Sequence, residues 1–206
     1  MMKKHLSKIK LINWMYFVNT TIVSNGNTII TGMNASGKST IVDAIQLALI
    51  ADKRKVKFNN AADAEGKRDV KSYVRGEINT EEISCLRPGD VVSHIALEFL
   101  SDNGPVVMGI VIELNNGIDE MHFYKANNVR IGDQFYLDEE NKPNDFSGLK
   151  NTYEKFHVEF ESLSAVDYRR ALAAQMGVEE KYYDKYIALL IASIGFKSVS
   201  KVDDFI

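Results

Sequence analysis

The clearest chemistry in the chain lies in nine consecutive residues, Gly32-Met33-Asn34-Ala35-Ser36-Gly37-Lys38-Ser39-Thr40. They fit the pattern G-x-x-x-x-G-K-[ST], which a sequence of this length matches by chance roughly once in a hundred cases. Glycines at the two fixed positions permit torsions that let successive backbone N–H groups converge on phosphate oxygens. A helix opening at the second glycine adds the positive potential of its N-terminus. Gly32, Asn34, Ala35, Ser36, Gly37, Lys38, Ser39 and Thr40 are therefore the expected ATP-binding residues. Lys38 is the catalytic candidate, reaching the β- and γ-phosphates. Ser39 is expected to place its hydroxyl on Mg²⁺, and Thr40 to contact the α-phosphate.

Hydrolysis also needs an acidic residue for Mg²⁺ and a group that orients water. The nearest acidic candidate, Phe135-Tyr136-Leu137-Asp138-Glu139, reads better as the end of an ordinary strand than as a buried acidic motif. Phe146-Ser147-Gly148-Leu149-Lys150 faintly echoes an ABC signature but follows that acidic pair instead of preceding it. Gln46, Gln134 and Gln175 leave the glutamine that would contact Mg²⁺ unassigned. The four histidines form no H-x-x-x-H pair, and the single cysteine, Cys85, builds neither a zinc site nor a disulfide scaffold.

The loop needs a strand before it and a helix after it. Thr28-Ile29-Ile30-Thr31 reads as a short apolar strand, and residues 37–51 as a helix with Ile41, Ile45, Ala48 and Leu49 on one face. Upstream, residues 9–23 read as strands around a turn near Asn19, followed by the tight turn Asn25-Gly26-Asn27. Trp14 and Tyr16 read as strand packing in preference to an adenine platform. Residues 53–90 are polar and weakly periodic, a long basic loop region with room for one short helix. From Val91 to about residue 140 the period becomes two: Ile95, Leu97 and Phe99 alternate with His94, Ala96 and Glu98, as Met108, Ile110, Ile112 and Leu114 do on the next run. Turn signals at residues 102–104, 116–117 and 127–128 make this an antiparallel meander of three or four strands. Residues 160–206 read as helices, with Ser164 and Asp167 as a capping box, Gly177 as a C-cap, and a helix over 179–194 closed by Gly195. The last five residues resemble the first turn of another helix, so the chain is expected to be a piece of a longer protein.

Composition bounds the rest. The chain has 206 residues, 45% hydrophobic and 26% charged, with three prolines, enough for one domain with a core or two small ones. No apolar run reaches the roughly 18–20 residues of a membrane span, and no signal peptide opens the chain, so a cytoplasmic location without membrane contact is expected. Residues 1–75 hold 13 Lys and Arg against 5 Asp and Glu, a net +8, whereas the remainder is −11. Lys53, Arg54, Lys55 and Lys57 lead the basic stretch and are DNA-contact candidates, although a pI near 5.8 argues against a free-standing DNA-binding module.

The Gly-x-Asn-x-Ser-Gly-Lys-Ser-Thr wording, followed by Ile41-Val42-Asp43-Ala44-Ile45, resembles the ABC-type ATPase heads of SMC-like proteins. Leu11-Ile12-Asn13-Trp14, Phe58-Asn59-Asn60-Ala61-Ala62 and Ser72-Tyr73-Val74-Arg75-Gly76-Glu77 extend the likeness. Residues 186–195 do so again. Together they resemble the N-terminal head half of the MukB-like branch, which includes Wadjet ATPases of the JetC kind and MksB-related condensins. The resemblance implies an α/β fold of α+β character, spanning residues 1–206 as the N-terminal lobe of a P-loop head. It implies a C-terminal lobe that supplies the signature and acidic motifs beyond a coiled coil, and a second SMC-like subunit with which two ATP molecules are sandwiched. Kleisin-type and accessory subunits, DNA, and a nucleoid-associated location follow from the same likeness, and Arg75 matches the family's arginine loop. Ala35 stands where glycine is commoner. The isolated chain is then expected to bind ATP and barely hydrolyse it. Two other readings stay open: a RecF- or OLD-like ATPase or small P-loop kinase complete in itself, and an interaction protein with a vestigial loop, against which the intact Lys38 and Ser39 speak.

Overall fold

Alternating and β-branched runs build a single antiparallel sheet in the computed structural model, which describes residues 4–24, 26–58, 68–78 and 84–194. Its strands are β1 (His5–Trp14), β2 (Phe17–Val23), β3 (Val91–Leu100), β4 (Val106–Asn115), β5 (Ile118–Asn127) and β6 (Phe160–Leu163), in the spatial order β2-β1-β3-β4-β5-β6. The helices are α1 (Lys38–Ile50), α2 (Val70–Arg75), α3 (Asp133–Tyr136), α4 (Phe146–Lys155), α5 (Ala165–Met176) and α6 (Glu180–Ile194). The mixed α/β class and the meander over β3–β5 are as the sequence predicts. The expectations for Asn25, for residues 59–62, for Gly195 and for the last five residues fall outside the described residues.

Period-two alternation sends side chains to opposite faces. On β3, Ile95, Leu97 and Phe99 join Met108, Ile110 and Ile112 of β4 under α1, α2, α5 and α6. Ala96 of β3 and Val107 and Val111 of β4 pack instead with Tyr124 of β5 under α3 and α4. The central strands are thus buried on both sides, with helices covering each face.

Five details differ from the sequence expectation. The first turn lies at Met15-Tyr16, with Trp14 opposite Phe17, and Asn19 sits within β2 opposite Ile12. Asn13, at φ 50°, breaks the alternation of β1 there: Leu11 faces α1, Ile12 faces away, and Trp14 returns to the α1 side. The predicted strand over Thr28–Thr31 is irregular backbone, with Ile29 86% exposed. Apolar β-formers need a neighbouring ladder to satisfy their backbone, and among the described residues none pairs with this segment. Residues 133–136 form a helical turn in place of a strand end, and the region from residue 160 begins with the short strand β6 beside β5 before its helices.

The remaining caps follow local chemistry. Ser164 Oγ accepts from the Asp167 amide at 3.1 Å, and Gly177 closes α5 at φ 71°. Asp69 and Ser72 form a reciprocal capping box that starts α2 inside the region read as a long loop.

Candidate nucleotide-binding loop

The phosphate-loop sequence folds as a turn that opens directly into α1. Residues 31–36 are exposed, Gly37 and Lys38 are half-buried, and Thr40 is buried. Gly37 is the N-cap at φ 90°, with no side-chain cap, and the first turn of α1 carries no acidic residue. The Ile41 amide donates to the Gly37 carbonyl at 3.0 Å, so the amides of Lys38, Ser39 and Thr40 precede the first intrahelical bond. Three unspent donors and the helix dipole thus meet at an exposed loop, an arrangement suited to an anion.

Glycine is required at Gly37 for two reasons. Its left-handed backbone disfavours a side chain, and a Cβ there would stand 2.9 Å from the ring of Phe17. Ala35 also adopts the left-handed conformation, φ 63°, so the position that reads as an alanine-for-glycine change is one where alanine is strained. The Lys38 ammonium donates to the carbonyls of Gly32 and Met33 at 2.8 and 2.6 Å, folding over its own loop. Asn34 and Ser36 stand exposed on the same loop, and Ser39 is exposed in the first turn of α1. Thr40 is buried, and its carbonyl accepts the Trp14 indole N–H at 3.0 Å. Trp14 is fully buried, whereas Tyr16 at the neighbouring turn is 56% exposed.

Beneath the helix sits a polar pair that the sequence did not single out. The Tyr73 hydroxyl of α2 donates to the buried Asp43 carboxylate of α1, and Gln46 donates to the same carboxylate at 3.3 Å. Burial, with Asp43 adding to it, holds the Tyr73 phenol far above its ordinary value, so it stays a donor. Asp43 lies away from the helix face that Ile41, Ile45, Ala48 and Leu49 mark as apolar, so spacing carries no signal for the pair.

The other candidates scatter. Arg75 ends α2 half-buried, and among the described residues its guanidinium forms no ion pair. Lys53 pairs with Asp119, while Arg54 forks onto Asp52 at 3.0 and 3.1 Å and holds that carboxyl below its usual range. Lys55 and Lys57 are exposed. Lys53 and Arg54 line a cavity of about 310 Å³ with Phe123 and Arg169, at the C-terminal end of α1, away from the phosphate loop. Asp138 accepts the amides of Glu140 and Lys142 at 2.9 and 2.8 Å within a turn that follows α3. Phe135 and Tyr136 of α3 pack on the sheet face opposite α1. Phe146–Lys150 is the first part of α4, capped by Asp145, on that same opposite face. Gln46 is buried in α1, Gln175 is buried in α5, and Gln134 lies in α3. Among the described residues, no group of three or more His, Cys, Asp or Glu is placed to hold a metal ion, and no helix is long and apolar enough to cross a membrane.

Residues 6–65 match the family described as the P-loop containing region of AAA domain. The match spans β1, β2, the phosphate loop and α1, and identifies a P-loop NTPase region in the chain. No curated protein matches it.

Proposed function

We propose that this chain is the ATP-binding N-terminal lobe of an SMC-like ATPase head of the MukB-like branch, coupling ATP binding and hydrolysis to DNA handling in plasmid defence or chromosome condensation. One observation carries the nucleotide part: the uncapped, acid-free N-terminus of α1 follows the left-handed Gly37, with Lys38 and Ser39 at its first turn. In this reading the loop amides hold the phosphates of ATP. The Lys38 ammonium leaves the Gly32 and Met33 carbonyls for the β- and γ-phosphates, and exposed Ser39 gives its hydroxyl to Mg²⁺.

The catalytic set is completed from elsewhere. A C-terminal lobe and a second head supply the signature and acidic motifs, which neither Asp138 nor the start of α4 replaces from the far side of the sheet. Arg75, at the end of α2 and without an ion pair among the described residues, takes the arginine-loop role. DNA phosphates engage the exposed Lys55 and Lys57, with Lys53 and Arg54 joining when they exchange their carboxylate partners. Kleisin-type and accessory subunits complete the assembly, which works in the cytoplasm on the nucleoid.

Calorimetric titration with Mg²⁺-ATP, ADP and AMP tests the reading on the wild type and Lys38→Ala. Saturable ATP binding, weakened at least tenfold by Lys38→Ala and without steady-state turnover, is the expected result, since a charge-assisted contact contributes about 1.5–3 kcal/mol. Turnover by the isolated chain would favour a small enzyme complete in itself. Absence of any Lys38-dependent binding would refute the nucleotide reading.

A further inference from the structure

A nucleotide loop works only if its amides are held at fixed spacing, so what fixes the first turns of α1 matters as much as the loop itself. Two polar contacts reach α1 there from below. The Trp14 indole N–H donates to the Thr40 carbonyl at 3.0 Å, and the Tyr73 hydroxyl donates to Asp43 one turn later. Their rings stack on each other, centroids 4.6 Å apart and 25° from parallel, with Phe58 against both. Backbone bonds join the two anchors: the Met15 amide donates to the Tyr73 carbonyl at 2.7 Å. Arg87, with no carboxylate partner among the described residues, donates to the carbonyls of Met15 and Val74, each at 2.7 Å, and to that of Tyr73 at 3.4 Å. The turn after β1 and the helix α2 therefore form one unit with two side-chain anchors beneath α1.

Packing alone does not need this device. Ala44, Leu47 and Ala48 already bury the apolar side of α1, and a buried carboxylate is costly unless it is paired. The anchors sit at residues 40 and 43, immediately after Lys38 and Ser39, while the far end of α1 is held separately by the Tyr183 hydroxyl on the Leu49 carbonyl at 2.5 Å.

We propose that Trp14 and Tyr73 are positioning residues for the phosphate loop, fixing the first turns of α1 through the Thr40 carbonyl and the Asp43 carboxylate. This inference rests on the nucleotide reading for its purpose, though not for its test. Tyr73→Phe keeps the stacked ring and deletes only the donor. Asp43→Asn keeps an acceptor oxygen for the tyrosine and serves as the conservative partner.

Amide hydrogen exchange on the nucleotide-free protein reads the effect. In Tyr73→Phe, exchange at Ile41–Ala44 is expected to accelerate at least fivefold relative to wild type, with Leu149–Tyr153 of α4 unchanged. Asp43→Asn should exchange within about twofold of wild type at both places. Trp14→Phe, which deletes the bond to Thr40, gives the same local pattern and carries the measurement should Tyr73→Phe fail to fold. Uniform acceleration across α1 and α4, or none at Ile41–Ala44, overturns the proposal. Mg²⁺-ATP titration of the same variants supplies the second readout: affinity should fall several-fold in Tyr73→Phe and stay near wild type in Asp43→Asn. If the wild type binds no ATP, the nucleotide reading fails, and the exchange pattern still decides whether these residues position the helix.

Discussion

The two faces of the sheet are built on opposite principles. Under α3 and α4 the cover is aromatic and closed: Tyr124, Tyr136 and Tyr153 are all fully buried. Their hydroxyls meet at 3.2 and 3.5 Å, and Phe135 stacks on Tyr153 at 4.4 Å. Even Gly109 is shaped by this packing, since a Cβ there would stand 2.5 Å from the ring of its cross-strand partner Tyr124. On the other face α1 packs through alanines and leucine, is anchored by Trp14 and Tyr73, and ends in an exposed loop with unspent donors. The closed face pairs its tyrosine hydroxyls with one another and leaves only the buried His94 Nδ1 unpartnered among its described side chains, whereas the other face keeps a set of backbone donors turned outward. A site can be carried only where donors remain to be satisfied.

Several substitutions can break this contrast. The largest effect is expected at Tyr153→Ala, which empties an aromatic position on the closed face. A loss of about 3–5 kcal/mol in stability, read by denaturant unfolding, is the expected outcome, with nucleotide affinity unchanged in whatever fraction stays folded. A loss below 1 kcal/mol would mean that face is not the rigid half.

Next comes His94, buried against Tyr136, with Nε2 bonded to the Asn144 carbonyl at 2.8 Å. Burial pushes its pKa down to about 4, against 6.5 when unfolded. The unfolded chain therefore binds the extra proton first, and stability declines as pH falls from about 6.5 toward 4, by on the order of 3 kcal/mol, then levels off for this group. The carboxylates held down by cations, Asp133 by Lys10 and Glu161 by Lys125, lose their contribution lower, below their ordinary values of 3.8 and 4.5. Urea unfolding between pH 7 and 4.5 should show the slope in wild type and a nearly flat line in His94→Gln.

The smallest effect sharpens the comparison on the open face. Ala35→Gly relieves a left-handed alanine in the loop and should raise stability by up to about 1 kcal/mol, part of the relief being offset by the freedom glycine gains in the unfolded chain. Differential scanning calorimetry should register a small rise in Tm, and a fall would show that the Ala35 methyl packs usefully.

Local signals carried much of this molecule. Alternation placed β3 and β4 and both of their faces correctly, because each residue's side follows from period two alone. The G-x-x-x-x-G-K-S pattern placed the turn and the start of α1, because glycine torsions and helix capping are local. What escaped was set by distance along the chain. Thr28–Thr31 has strand composition but no ladder neighbour among the described residues, a fact invisible in four apolar-to-polar letters. Residues 133–137 look like a strand end, yet Gly132 and the Asp133 first turn start a short helix that drops Phe135 and Tyr136 onto the sheet. The Asp43–Tyr73 pair spans 30 residues, and no spacing rule joins them. Nor does composition reveal that Asn13 turns Trp14 over to the α1 side.

The most direct test of the contrast is amide chemical-shift mapping during titration with Mg²⁺-ATP. Shifts are expected to concentrate at Gly32–Ile41, strongest at the Lys38, Ser39 and Thr40 amides, with none above noise in α3 and α4. Shifts centred on the tyrosine-lined face, or on the cavity near Arg54 and Arg169 with a silent phosphate loop, would contradict the contrast.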